Sequence, residues 1–180
     1  MLWLWITLGI LGVLALAFFV MLAIGKGLDP KHIVTASLQI DQPPAVVHAL
    51  VANLEAWPSW CRKVQKVEKL PDRDGHPTVR RFMGRNRMVL KVTVNHAPSR
   101  FAILIDDESK FFGGIWEYLI STDASGTLLK LTEHGEVGPA IPRFMLRYIV
   151  DPAMYLKSHL RDVARHFGEP PTISDVARLS

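Results

Sequence analysis

From Leu2 through Ile24 the chain carries no charged side chain, and Thr7 is its one polar residue. A helix of that length measures about 35 Å, enough to cross the ~30 Å hydrocarbon core of a bilayer. Residues 1–25 are therefore read as a single transmembrane helix. Trp3 and Trp5 at one end, with Lys26 and Lys31 beyond the other, are residue types that hold such a helix at the two interfaces. A cleavable signal peptide is the competing reading, because Ala23 and Gly25 are small residues two apart. The run is long for a signal peptide and no basic residue precedes it, which favours the anchor. Gly9 and Gly12 are three apart, which is not the GxxxG spacing of helix dimers, so a monomer is expected. Lysines on the C-terminal side favour a cytoplasmic location for the folded domain. The single cysteine, Cys61, cannot form an intramolecular disulfide and permits that reducing compartment.

Residues 26–32 read as a tether, with Gly27 and the turn-forming Asp29-Pro30 pair. Residues 33–169 are then one domain of ordinary size, and residues 170–180 hold so little to bury that a flexible tail is expected. The net charge of +4 is a modest basic excess that identifies no partner by itself.

Within the domain, Val34, Ala36, Leu38 and Ile40 alternate with Thr35, Ser37 and Gln39, the pattern of a half-buried strand. Asp41 is expected to cap a helix whose first turn tolerates Pro43 and Pro44, with Val47, Leu50, Val51 and Leu54 on one face. Pro58 biases Trp57 away from helical geometry, so Trp57 and Trp60 arrive on a bent connector. They either plug one end of the core or line the mouth of a cavity. Strands are expected at 64–70, 78–83, 88–94, 101–105, 115–122 and 128–137. The turn formers at 71–75, 84–87 and 123–126 make them a meandering antiparallel sheet. A short helix or turn follows between Gly138 and Val150. Asp151-Pro152 then opens a final helix with Ala153, Leu156, Leu160, Val163 and Phe167 as its apolar stripe and Gly168 as its stop.

This order, together with IDQPPAVVHALVANLEAWPSW near the start and LTEHGEVGPAIPRFMLRYI and YLKSHLRDVARHFGE near the end, resembles the polyketide cyclase/dehydrase branch of the START-like (SRPBCC) superfamily. The resemblance covers about residues 33–169. It implies an α+β helix-grip fold, a curved antiparallel sheet wrapped around a long C-terminal helix, with a hydrophobic cavity between them. Inward apolar positions facing one long helix lead to the same expectation. The candidates to line that cavity are Trp57, Trp60, Phe82, Leu90, Val92, Phe101 and Ile103, then Trp116, Tyr118, Leu131, Glu133, Leu156 and Leu160.

Chemistry needs ionisable groups in that cavity. Glu133 shares a strand face with Leu129 and Leu131 and, if inward, can act as acid or base; if the register slips near Gly135 it faces water instead. Tyr118 offers an inward hydroxyl. Glu133 and Tyr118 are thus the catalytic candidates. His159 and His166 are seven apart and Cys61 stands alone, so no metal site or cofactor is expected. The run Arg80, Arg81, Arg85, Arg87, Lys91 and Arg100 contains no acidic residue. Arg80, Arg81, Arg85 and Arg87 are candidates for anionic headgroup contacts at ~1 kcal/mol each, the alternative being a solvated face. No recognition helix or base-stacking signature accompanies the charge, which argues against nucleic acid. The favoured function is a membrane-anchored binding or carrier protein for a lipid, isoprenoid or polyketide-like compound. The alternatives are a cyclase/dehydrase-type enzyme on an apolar substrate and a protein-interaction module with a filled core.

Overall fold

The structure, a computed structural model, describes residues 1–107, 111–123 and 126–179. The turn expected at 123–126 lies partly outside them. The apolar run forms α1 (Leu2–Gly27), which is exposed along most of its length. Burial begins only at its end, where Met21 and Leu22 are half-buried and Gly25 is buried. Residues 28–30 separate α1 from β1 (Lys31–Ile40), so the tether is shorter than the expected 26–32.

The alternation of β1 places Val34, Ala36, Leu38 and Ile40 in the core. α2 (Pro44–Ala52) follows with Pro43 as its N-cap. Asp41 does not cap it; its backbone N–H instead donates to Glu169 Oε2. After a 3₁₀ turn at Leu54–Ala56, α3 (Trp57–Trp60) is one short turn of helix. Trp57 is helical, at φ −52° and ψ −37°, against the expectation that Pro58 would exclude that geometry. The steric bias set by a following proline is overridden here by packing, since Trp57 and Trp60 are both buried in the core, and Pro58 at the start of the turn costs it no hydrogen bond. The turn is further held by the Trp57 indole donating to Val51 O.

Six strands then meander: β2 (Lys66–Arg73), β3 (His76–Met83), β4 (Asn86–His96), β5 (Arg100–Asp107), β6 (Phe112–Asp123) and β7 (Gly126–Val137). The loop expected at 71–75 shrinks to Asp74-Gly75, whose φ values of 55° and 75° suit a two-residue hairpin that continues the strand twist. α4 (Ala140–Tyr148) and α5 (Met154–His166) follow the meander. Asp151 caps the turn before α5, accepting from the Ala153 N–H at 2.9 Å, so that helix starts later than Asp151-Pro152 suggests. Where a tail is expected, β8 (Thr172–Leu179) pairs with β1.

The sheet order is β2-β3-β4-β5-β6-β7-β1-β8, and every neighbouring pair is antiparallel. Its concave face carries Phe101, Ile103, Tyr118, Leu129 and Leu131, which pack with Val47 and Val51 of α2 and Leu156, Leu160 and Val163 of α5 in one core. This is the expected helix-grip arrangement, with α1 attached at its N-terminal edge. α4 packs on the last turns of α1, where Gly25 lies so near the Ala140 carbonyl that a Cβ would collide with its oxygen.

Candidate functional site

α2 and α5 fill one end of the concave face. At the other end Met83, Met88, Ile105, Trp116 and Glu133 border a cavity of about 600 Å³. α4 and the segment leading into α5 form its opposite wall through Pro142, Met145, Leu146, Val150, Pro152 and Met154. That volume falls within the ~300–1,000 Å³ typical of small-molecule sites, and the wall is mostly apolar with a few polar groups. A smaller hollow of about 270 Å³ lies between α4 and the start of β1, lined by Leu28, Ile33, Arg143 and Leu146 among others.

Glu133 comes from β7. The period of two that buries Leu129 and Leu131 also carries it inward, and it is only 5% exposed. Both of its oxygens are engaged: Trp116 Nε1 donates to Oε2 at 2.6 Å, and His32 Nε2 lies 2.9 Å from Oε1. His32 reaches it from β1 across Gly135, where a Cβ would overlap the imidazole Cε1. The absent side chain makes the contact possible.

Arg81 enters from β3. It pairs with Met88, shares its face with Val79 and Met83, and is 5% exposed. Its guanidinium lies 5.8 Å from the ring centres of both Trp57 and Trp116. Nη2 donates to the Met88 sulfur at 3.0 Å, while Nε is buried without a partner. Burial lowers its pKa, and the neighbouring Cys61, Tyr118 and Glu133 act against that shift.

His159, on α5, lines the inner end of the cavity between the rings of Trp57, Trp60 and Trp116, with centroids 5.1–5.3 Å away. Tyr118 Oη lies 3.1 Å from its Nε2 and Cys61 Sγ 3.8 Å from its Nδ1. Burial, reinforced by the Arg81 charge, pushes the imidazole pKa down to about 3. Burial and the Asp162 charge push the Cys61 thiol up to about 11. A neutral thiol beside a neutral imidazole is not an activated nucleophile, since attack requires the thiolate. Tyr118 is likewise raised well above its ordinary value by burial. Burial also raises Asp162, but hydrogen bonds from Arg165 and Arg62 outweigh it and hold that carboxyl low.

Of the residues expected to line a cavity, Trp116 and Glu133 do so. Leu90, Val92, Phe101, Ile103, Tyr118, Leu131, Leu156 and Leu160 point to the same interior but are packed in the core, and Trp57 and Trp60 plug it from α3. Phe82 corrects the expected register. It faces away from the cavity, with Lys66 and Arg87 over its ring at 5.9 Å. The same parity removes Arg81 from the headgroup candidates, because it is inside. Nothing in the sequence singles out His32 or the α4 wall, and His159 stands out there only as a histidine too far from His166 to share a metal. The one signal for Arg81 is its alternation with Val79 and Met83, which the basic run around it obscures.

Comparison with known families finds the one described as polyketide cyclase / dehydrase and lipid transport matching residues 31–167. A comparison with curated protein sequences finds no match. Among solved structures, the chain is similar to a START superfamily protein from Mycobacterium smegmatis, at 16% identity and a TM-score of 0.55, covering 76% of this chain and 94% of that one. A protein from Thermus thermophilus matches at 20% identity and a TM-score of 0.58, covering 76% and 95%. The di-domain ARO/CYC StfQ from the steffimycin biosynthetic pathway matches at 12% identity and a TM-score of 0.57. There the alignment covers 73% of this chain and 50% of StfQ, so the chain spans about half of that protein. At these identities the likeness is one of fold.

Proposed function

Because this chain belongs to the polyketide cyclase/dehydrase and lipid transport family, we propose that it is a membrane-anchored domain that holds a hydrophobic small molecule and exchanges it with the bilayer. The observation that carries this reading is the double role of α4. One helix walls the apolar cavity through Met145 and Leu146 and also packs on the end of the helix long and apolar enough to cross a membrane. With Leu2–Ile24 spanning the bilayer, Met21 and Leu22 stand at its surface, and α4 beside them stands there too. The rim of the cavity continues that surface. Tyr148, Ile149, Met154 and Tyr155 are each more than 40% exposed, and amphipathic rings beside aliphatic side chains favour the headgroup boundary. Met83 and Asn86 also line the cavity, so the Gly84-Arg85 turn between them brings a basic hairpin tip to the same rim, where Arg85 and Arg87 can meet anionic headgroups.

The test is mass spectrometry of the full chain after gentle detergent extraction, combined with transfer of a fluorescent lipid between vesicles. A co-purified lipophile and protein-dependent transfer are expected. A cavity that comes out empty and takes up no lipid probe would defeat the reading. A cyclase or dehydrase activity is the second reading, favoured by the Glu133–His32 pair in the cavity wall, which is placed to move a proton. Its test is Glu133→Gln, which should abolish turnover of an apolar ketide while leaving that compound bound.

A further inference from the structure

Resting on the proposal that the cavity holds a hydrophobic molecule, we infer that this molecule is an amphiphile with an acidic oxygen head, received by Arg81. Arg81 is a cation enclosed in the cavity wall, 5% exposed, and its donors are largely unspent. Its one hydrogen bond goes to the thioether of Met88, a weak acceptor, and Nε has none. Among the described residues no carboxylate stands within ion-pair distance of it. The acids that share the cavity are committed elsewhere. Glu133 accepts from Trp116 and His32, and Asp162 accepts from Arg62 and Arg165.

A buried charge without a hydrogen-bonding counterpart is costly, and a planar guanidinium is suited to two parallel bonds from a carboxylate or phosphate. Trp57 and Trp116 border the guanidinium and restrict its movement, which preorganises it for a head group. The remainder of the cavity suits a tail, since Ile105, Phe112, Met145, Leu146 and Val150 also line it. The ligand lies head inward, with its apolar end toward the bilayer.

The experiment uses the full chain in detergent micelles and follows the fluorescence of cis-parinaric acid and of its methyl ester, which differ only in the acidic head. The acid should bind about tenfold or more tightly than the ester, as expected for a hydrogen bond to a charged group. In Arg81→Met that preference should collapse to within about twofold, and in Arg81→Lys it should be intermediate, because the charge remains and the fork is lost. Lysophosphatidate is the competitor that separates the two heads. Displacement of the acid below equimolar concentration assigns phosphate, and weaker competition assigns carboxylate. Equal binding of acid and ester by the unmodified protein overturns the head-group assignment alone and needs no variant to be read. Failure of both probes to bind overturns the hydrophobic-ligand reading as well.

Discussion

At residue 135 a single hydrogen in place of a side chain keeps a carboxylate and an imidazole in contact across two strands. Gly135→Ala would put its methyl group 2.5 Å from His32 Nε2 and 3.2 Å from Glu133 Oε1. The ring must swing out and one buried carboxylate oxygen loses its partner, at a cost of ~1–3 kcal/mol, readable as a lower urea midpoint with an unchanged slope. His159 makes a prediction about acidity. Its folded pKa, near 3, lies below the ordinary value of 6.5, so between those limits the unfolded chain binds a proton that the folded one refuses. Stability is therefore full above 6.5 and falls as pH drops through that window, by at most ~1.4 kcal/mol per pH unit. Asp162, whose folded pKa is also depressed, contributes its own loss only as pH falls below about its ordinary value of 3.8. Denaturation curves from about pH 7 to about pH 4 should thus report the histidine, and His159→Phe should flatten them. At this scale the sequence shows Glu133 inside, because three residues of β7 agree on one face. It hides Arg81, because the two faces of β3 are Val79, Arg81 and Met83 against Thr78, Arg80 and Phe82. The first face leads by a single apolar residue while each carries an arginine, and the pairing of Arg81 with Met88 across the inner face decides between them.

At the level of the element, α4 is held at two points. Gly25 admits the backbone of Ala140, and Arg143 donates to three carbonyls: Val137 O at 2.8 Å, Leu28 O at 3.2 Å, and Gly138 O. Those carbonyls belong to the end of β7 and to the segment between α1 and β1, so one guanidinium ties the apolar helix to the domain. Gly25→Val should push α4 off α1, and Arg143→Ala should release the same junction at a cost of ~2 kcal/mol. Both should speed amide exchange in α4 while leaving that of β5, β6 and β7 unchanged, as measured by hydrogen–deuterium exchange of the full chain. Loss of protection throughout the sheet would mean that α4 is part of the core and not a separately hinged wall. The meander is legible in the sequence because each strand brings its own alternation and its own turn. α4 is not, since every residue of it is at least partly exposed and its apolar side chains divide between α1 and the cavity. β8 is hidden for a related reason. It is an edge strand whose apolar residues Ile173, Val176, Ala177 and Leu179 do not keep a period of two, so no alternation marks it off from a tail.

For the whole molecule the question is which way the mouth of the cavity points. If α1 crosses the bilayer and α4 lies on its last turns, the segment at Tyr148 and Ile149 enters the headgroup layer, while Leu119, exposed on the outer face of β6 and aligned through Lys130 with Ser37 well along β1 from α1, stays in water. The native thiol permits a clean measurement, because Cys61 is buried and its pKa is near 11, so at neutral pH it reacts slowly with a maleimide. Tyr148→Cys and Leu119→Cys can then each carry a polarity-sensitive fluorophore on the full chain in liposomes. The label at 148 should brighten, shift to the blue and be quenched by lipids carrying a spin label near the headgroup. The label at 119 should do none of these. Identical behaviour at the two sites would mean that the mouth opens into solvent. An exchange route between cavity and bilayer would then be lost, even if an apolar ligand were bound.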